Sequence, residues 1–357
     1  MGSTSLRSDI TTVREVIGRS SRGGSAALWS GLSLCALALT GLVVGTPPDP
    51  TVSSTGAEPE RTGAVAQAAH CPPGTEPVSE STAAMRVADP GVGAEGEVEV
   101  TPEQAAEYEE RLREALGPSR DRQIAPPYTV PVVVHVISAE DGGGNVTDAR
   151  VREQIDVMNR AYRGDYAQGS EGTDTGFRFE LSDVTRSVND DWFHRFRQYD
   201  DTIRSQLRQG GPETLNIYTA DLGSGLLGYS TFPQDYRAAP ERDGVAIAHD
   251  TLPGGDRDRF NEGHTGTHEV GHWLGLFHTF QNGCESPGDY VDDTPYEREA
   301  ASGCPVGRDT CPDRPGKDPV TNFMNYSDDA CMTHFTQGQA VRMAEHWTAF
   351  RGGSARA

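Results

Sequence analysis

Eleven residues, His268-Glu269-Val270-Gly271-His272-Trp273-Leu274-Gly275-Leu276-Phe277-His278, constrain this chain more than any other segment. His268 and His272 are four apart, so on a helix both imidazoles share one face and can reach a single ion. Glu269 follows the first histidine, where a carboxylate can hold a water molecule and take its proton. Gly275 can adopt a left-handed backbone, end the helix and bring His278 back as a third donor. Three imidazoles that leave a coordination position to water are the donor set of a catalytic zinc site, whereas structural zinc sites are closed by four protein ligands. The short His-Glu-x-x-His string arises by chance in unrelated chains, and the glycine and third histidine give it weight. An exported binding module that keeps zinc for structure is the alternative reading, and hydrolysis of a non-peptide amide is a third.

Around the run, the order of elements predicts a mixed α/β fold. Val130-Pro131-Val132-Val133-Val134-His135-Val136-Ile137 is a β-branched run suited to a buried strand. Asp148 to Tyr162 follows as an amphipathic helix, with Val151, Ile155, Met158 and Tyr162 on one stripe. Further strands are predicted at Phe177–Leu181, Leu215–Tyr218 and Val245–Ala248. Thr336 as N-cap with Gln339 three residues on opens a last helix through Ala340, Met343, Ala344 and Trp347. An extended substrate would add to an exposed strand edge upstream of the zinc run, for which the sequence offers Asp243 to Ala248.

The run His268 to His278 resembles the long zinc signature of the metzincin clan, and Asn322-Phe323-Met324-Asn325-Tyr326 looks like that clan's Met-turn. The wording of the run, followed by Cys284, Cys304, Cys311 and Cys331, is similar to the pappalysin family over about Val130 to Trp347. The resemblance implies a metzincin-type α+β fold, with a mixed twisted sheet, an active-site helix and a helical C-terminal subdomain beyond the zinc cleft. It implies a zinc endopeptidase in which His268, His272 and His278 hold the metal and Glu269 is the general base. Met324 would lie beneath the metal, and the Tyr326 hydroxyl would support the transition state. It also implies disulfides Cys284–Cys311 and Cys304–Cys331; four cysteines allow three pairings, and sequence alone does not choose among them. Asp289, Asp292, Asp293, Thr294 and Glu297 put hard oxygen donors in one loop, and the family likeness points to calcium at Asp289, Thr294 and Glu297. A merely solvated acidic loop is the other reading.

With 53 Asp+Glu against 31 Lys+Arg the net charge is -22, which repels nucleic acid and anionic membranes and leaves proteins or peptides as the partners. Arg7, Arg14, Arg19 and Arg22 precede the uncharged stretch Ala26 to Gly45, so residues 1–48 read as a signal peptide and the protein as secreted. An uncleaved membrane anchor is the alternative. Residues 49–127 read as a pro-region or linker, too poor in large apolar residues to bury a core, and 128–351 as the catalytic domain. Within the pro-region Thr101, Pro102 and Gln104 cap a helix with Ala105, Tyr108, Leu112 and Leu116 on one side. Arg120, Arg122, Pro126 and Pro127 mark an exposed junction where everything before it could be cut away. Cys71 is left over in the pro-region, a thiol that could occupy the fourth zinc position before processing.

Overall fold

The computed structural model describes residues 100–117, 126–167 and 172–352, and residues 82–86 as backbone. The chain separates into units 1–73 and 74–357, and everything described belongs to the second. Its centre is a six-stranded sheet of β1 (Thr82–Arg86), β2 (Tyr128–Ser138), β3 (Phe177–Val188), β4 (Leu215–Ala220), β5 (Leu226–Thr231) and β6 (Val245–Ala248). The spatial order is β1-β5-β6-β4-β2-β3. β2, β3, β4 and β6 run parallel, β5 runs antiparallel to β6, and β1 runs antiparallel to β5.

Alternation along the strands sends side chains to two cores. Val132, Val134, Val136, Ile217, Val245 and Ile247 face one layer, packed under α2 (Asp148–Tyr162) and the zinc-run helix α5 (His264–Trp273). Tyr218, Ala220, Ala246 and Ala248 face the other, under α3 (Asp190–His194) and α4 (Phe196–Leu207). β4 and β6 are buried at every position, as strands covered on both faces must be. The helix stripe of α2 is the predicted one, with Val151, Ile155, Met158 and Tyr162 all buried.

Helix α1 (Pro102–Leu116) has the predicted capping box on Thr101, and α6 (Gln337–His346) has the predicted box on Thr336. Between α5 and α6 the chain is irregular except for a short turn at Asp329–Cys331, so the subdomain beyond the cleft is helical only at its carboxyl end. Cys284–Cys311 and Cys304–Cys331 staple this irregular stretch, each with Cα atoms 5.6 Å apart. That is the pairing implied by the family likeness.

One expectation is corrected. Val245–Ala248 is not an edge, because β6 lies between β4 and β5. Asp243 before it is buried and serves packing: its carboxylate accepts from Arg351 Nη2 at 3.0 Å, Arg351 Nη1 at 3.2 Å and Trp273 Nε1 at 3.1 Å. The Arg351 guanidinium lies 3.6 Å from the Trp273 ring centre and also donates to the Trp273 carbonyl. The last described turn, Trp347–Arg351, is thereby tied to the end of α5. Without Arg351, buried Asp243 keeps only the more distant guanidinium of Arg208, 3.7 Å away, so Arg351→Ala should lower the unfolding free energy by about 3 kcal/mol. Urea titration checks this, and a loss below about 1 kcal/mol would refute the role given to the pair.

Candidate metal centre and active site

The helix α5 begins at Gly263, which offers no side-chain cap. The capping acceptor comes instead from a residue far along the chain: Asp329 accepts from the backbone N–H groups of Glu262 at 2.8 Å and His264 at 3.4 Å. A carboxylate there satisfies orphan donors and lies at the positive end of the helix dipole. The helix then presents His268 and His272 one turn apart and ends at Gly275, whose φ of 95° is the predicted left-handed stop. A Cβ at Gly275 would also strike the His346 ring at 2.3 Å, so the turn needs glycine for space as well as for conformation.

His268, His272 and His278 converge, with ligand atoms all within 4.8 Å of one another. His272 Nε2 is 3.0 Å from His268 Nε2 and 3.1 Å from His278 Nε2. Two nitrogens on one tetrahedral zinc at roughly 2.05 Å each would stand about 3.3 Å apart, so the spacing fits. Their protonation fits as well. His268 Nδ1 donates to the Phe323 carbonyl and His272 Nδ1 to the Leu276 carbonyl, both at 2.7 Å, which leaves each Nε2 with its lone pair aimed at the shared centre. Burial holds both imidazoles neutral, with His268 pushed down to about 4 and His272 well below its ordinary value. Lone pairs brought this close repel unless a cation lies between them.

Met324 lies directly under α5: a Cβ on Gly271 would meet Met324 Sδ at 2.4 Å. The second variable position of the zinc run is therefore a glycine to admit the Met-turn. Tyr326 packs its ring 4.8 Å from His278 and 5.9 Å from His268. Glu269 is fully buried against β5, where a Cβ on Gly228 would meet its Cγ at 2.8 Å. The backbone of β5 and the Glu269 side chain are thus in contact. β5 was missed from sequence because Leu226-Leu227-Gly228-Tyr229-Ser230-Thr231 carries a glycine and no alternation of apolar and polar residues.

These features have counterparts in known proteins. Residues 213–348 match the family model described as pregnancy-associated plasma protein-A. An extracellular metalloprotease of Verticillium alfalfae is 45% identical over 240 residues, covering 65% of this chain and 83% of the relative. Extracellular metalloprotease 1 of Coccidioides posadasii is 41% identical over 279 residues, covering 75% and 95%. Among solved structures, a promirolysin mutant of Tannerella forsythia superposes with TM-score 0.59 at 27% identity, over 71% of this chain and 94% of that one. Mature mirolysin of Tannerella forsythia in complex with a cleaved peptide gives 0.55 at 28%, over 64% and 97%. The chain belongs to the pappalysin family of metalloproteases.

In this pappalysin the acidic loop divides in two. A cavity of about 70 Å³ is lined by Thr279, Gly288, Asp289, Asp292, Thr294 and Tyr296 among others. Asp289 Oδ2 and Thr294 Oγ1 are buried there and find no partner beyond each other, and burial pushes the Asp289 carboxyl up to about 8. Glu297 does not belong to this set. It is fully buried, accepts from Thr279 Oγ1 at 2.7 Å and from Asn325 Nδ2 at 2.8 and 3.0 Å, and pairs with Arg308. Its oxygens are spent on the loop that carries Tyr326, so the cation role expected for it is withdrawn. Asp293 is also engaged elsewhere, accepting from Gly338 N and Thr336 Oγ1 at the start of α6. Cys71, Arg120 and Arg122 lie outside the described residues. Among the described residues no helix is long and apolar enough to cross a membrane.

Asp329 gives the zinc helix a pH signature. Burial raises its carboxyl to about 7 from 3.8, so the folded protein holds a proton there that the unfolded chain releases, and the contribution of Asp329 to stability falls as pH rises from 4 to 7. His264 beside it is lowered by burial to about 4 from 6.5, which works in the opposite sense below pH 6.5. Asp329→Asn removes only the first contribution, at most about 1.4 kcal/mol per pH unit over that window. The variant should therefore gain stability relative to wild type as pH goes from 4 to 7.5. Thermal melts at matched pH decide, and a difference independent of pH would contradict the assignment.

Proposed function

We propose that this metalloprotease cleaves extended segments of proteins outside the cell, at a zinc ion held by His268, His272 and His278, with Glu269 as the proton carrier. The observation that carries the reading is the convergence of three buried imidazoles next to a buried glutamate side chain that touches β5. Zinc, when bound, supplies Lewis acidity toward the scissile carbonyl and a water of lowered pKa. Glu269 then accepts the proton of the attacking water and delivers it to the leaving amine. The Tyr326 hydroxyl, with its ring packed on His278, is assigned to the developing oxyanion. Secretion accords with the extracellular relatives and with the basic and apolar amino end.

Substrate adds to β5. This is the antiparallel strand in contact with Glu269, and the described chain itself lays an extended segment, β1, along it with Met85 opposite Gly228. Strand addition supplies affinity through the backbone and leaves side chains to nearby pockets. Glu269→Ala should retain one zinc per chain by elemental analysis while hydrolysis of a denatured protein drops about 10²- to 10⁴-fold. Undiminished hydrolysis would sink the assignment.

We assign the cavity at Asp289, Asp292 and Thr294 to calcium, a hard cation suited to carboxylate, hydroxyl and carbonyl oxygens. Its role is to hold the irregular stretch beyond α5. At a hundredfold excess over its dissociation constant calcium should stabilise the fold by about 2.7 kcal/mol, or roughly 5–10 °C in melting temperature. Asp289→Asn should abolish that increment. A calcium response unchanged in the variant would place the ion elsewhere.

A further inference from the structure

The segment that carries the third zinc donor and the segment that carries Tyr326 are joined by one carboxylate. His278 is followed by Thr279, whose N–H donates to the Met324 carbonyl at 3.2 Å and whose Oγ1 donates to Glu297 Oε2 at 2.7 Å. Met324 is followed by Asn325, whose Nδ2 donates to Glu297 Oε2 at 2.8 Å and Oε1 at 3.0 Å. Glu297, Asn325 and Thr279 are all buried.

Asn325 passes the constraint on. A carboxylate only accepts, so it fixes the amide with Nδ2 toward Glu297 and Oδ1 on the far side. There Oδ1 accepts from the N–H of Tyr326 at 2.8 Å and the N–H of Ala301 at 2.9 Å. The rings repeat the link: Phe280 stacks on His278 at 4.7 Å with planes 9° apart and meets the Tyr326 ring at 5.0 Å. The carboxylate is itself anchored by Arg308, which also holds Asp318 at 2.6 Å and the carbonyls of Glu299 at 2.7 Å and Ala300 at 3.0 Å. Glu297 and Arg308 both lie in the loop closed by Cys284–Cys311. An apolar side chain could fill this space at lower cost than a buried ion; donors aimed at one carboxylate specify an arrangement instead.

We propose that Glu297 is a positioning residue of the peptidase: its carboxylate clasps the His278 segment to the Tyr326 segment, so that the third metal donor and the oxyanion hydroxyl keep one fixed separation. The proposal deepens the peptidase reading and rests on it for the role of Tyr326. Zinc affinity depends on the clasp through Thr279, and turnover depends on it through Asn325.

Glu297→Gln keeps the volume but presents an NH2 group where its neighbours are donors, so one end of the clasp opens. With zinc and calcium saturating, kcat for a peptide should fall about 10- to 100-fold while KM stays within about twofold. In a Tyr326→Phe background, where the hydroxyl to be positioned is gone, the same substitution should cost less than about threefold. Competition with a chelator should show the zinc dissociation constant raised about 10- to 100-fold, a reading that needs no turnover. Should Glu297→Gln fail to fold, Thr279→Val removes one donor and leaves the pair with Arg308; it should slow kcat about 3- to 10-fold, again only where the Tyr326 hydroxyl is present. A kcat loss of the same factor with and without that hydroxyl overturns the proposal, and so does a kcat or a zinc affinity equal to wild type. A Tyr326→Phe variant as fast as wild type removes the oxyanion assignment and the catalytic half of the proposal with it. If no form cleaves a peptide bond, the peptidase reading fails, and the zinc dissociation constants still decide whether Glu297 holds the His278 segment.

Discussion

The site depends on two hydrogen bonds that never touch a substrate. His268 Nδ1–H to the Phe323 carbonyl and His272 Nδ1–H to the Leu276 carbonyl fix which nitrogen of each ring is bare and where it points. Both acceptors lie in irregular chain, one in the Met-turn and one just past Gly275. The ligands therefore sit on a regular helix, but their orientation is set by loops. Most of the structure beyond α5 serves to hold those loops still: two disulfides, the Glu297–Asn325–Arg308 group and the reciprocal amide pair of Asn322 and Gln339.

Buried ion pairs perform the same task over longer distances. Arg351 with Asp243, Arg342 with Glu109 and Arg308 with Glu297 each join segments to the elements around the zinc run. Such pairs are expensive to bury, and their contribution lies more in fixing one arrangement than in net stability. In this chain the specificity they supply is spatial. Arg342 both carries Glu109 and holds the Gly275 carbonyl, so the amino-terminal helix and the end of the zinc helix share one guanidinium.

What the sequence made legible was whatever is encoded locally. The capping boxes at Thr101 and Thr336, the stripe of α2 and the zinc run with its glycine stop each need only neighbours within one or two turns. What stayed hidden depends on distant partners. Asp243 reads as an exposed edge residue because Arg351 is 108 positions away. Glu297 reads as a cation donor alongside Asp289 because nothing local shows that Asn325 and Arg308 already hold it. Asp329, the true cap of the zinc helix, follows the Met-turn and has no sequence mark of that role. β5 lacks a periodic pattern because one of its positions must be empty.

That empty position shows how closely sheet and helix are coupled. Gly228 on β5 leaves room for Glu269 against the sheet, and Gly271 within α5 leaves room for Met324. β5 thus meets the side chain of Glu269, and the backbone of α5 meets the thioether of Met324, with no side chain on either glycine between them. Packing of that density transmits small displacements. On the proposed reading, a peptide drawn onto β5 would be placed against the Glu269 side chain by the same contact that fixes the strand, so binding along β5 and proton transfer at Glu269 would be one geometric event.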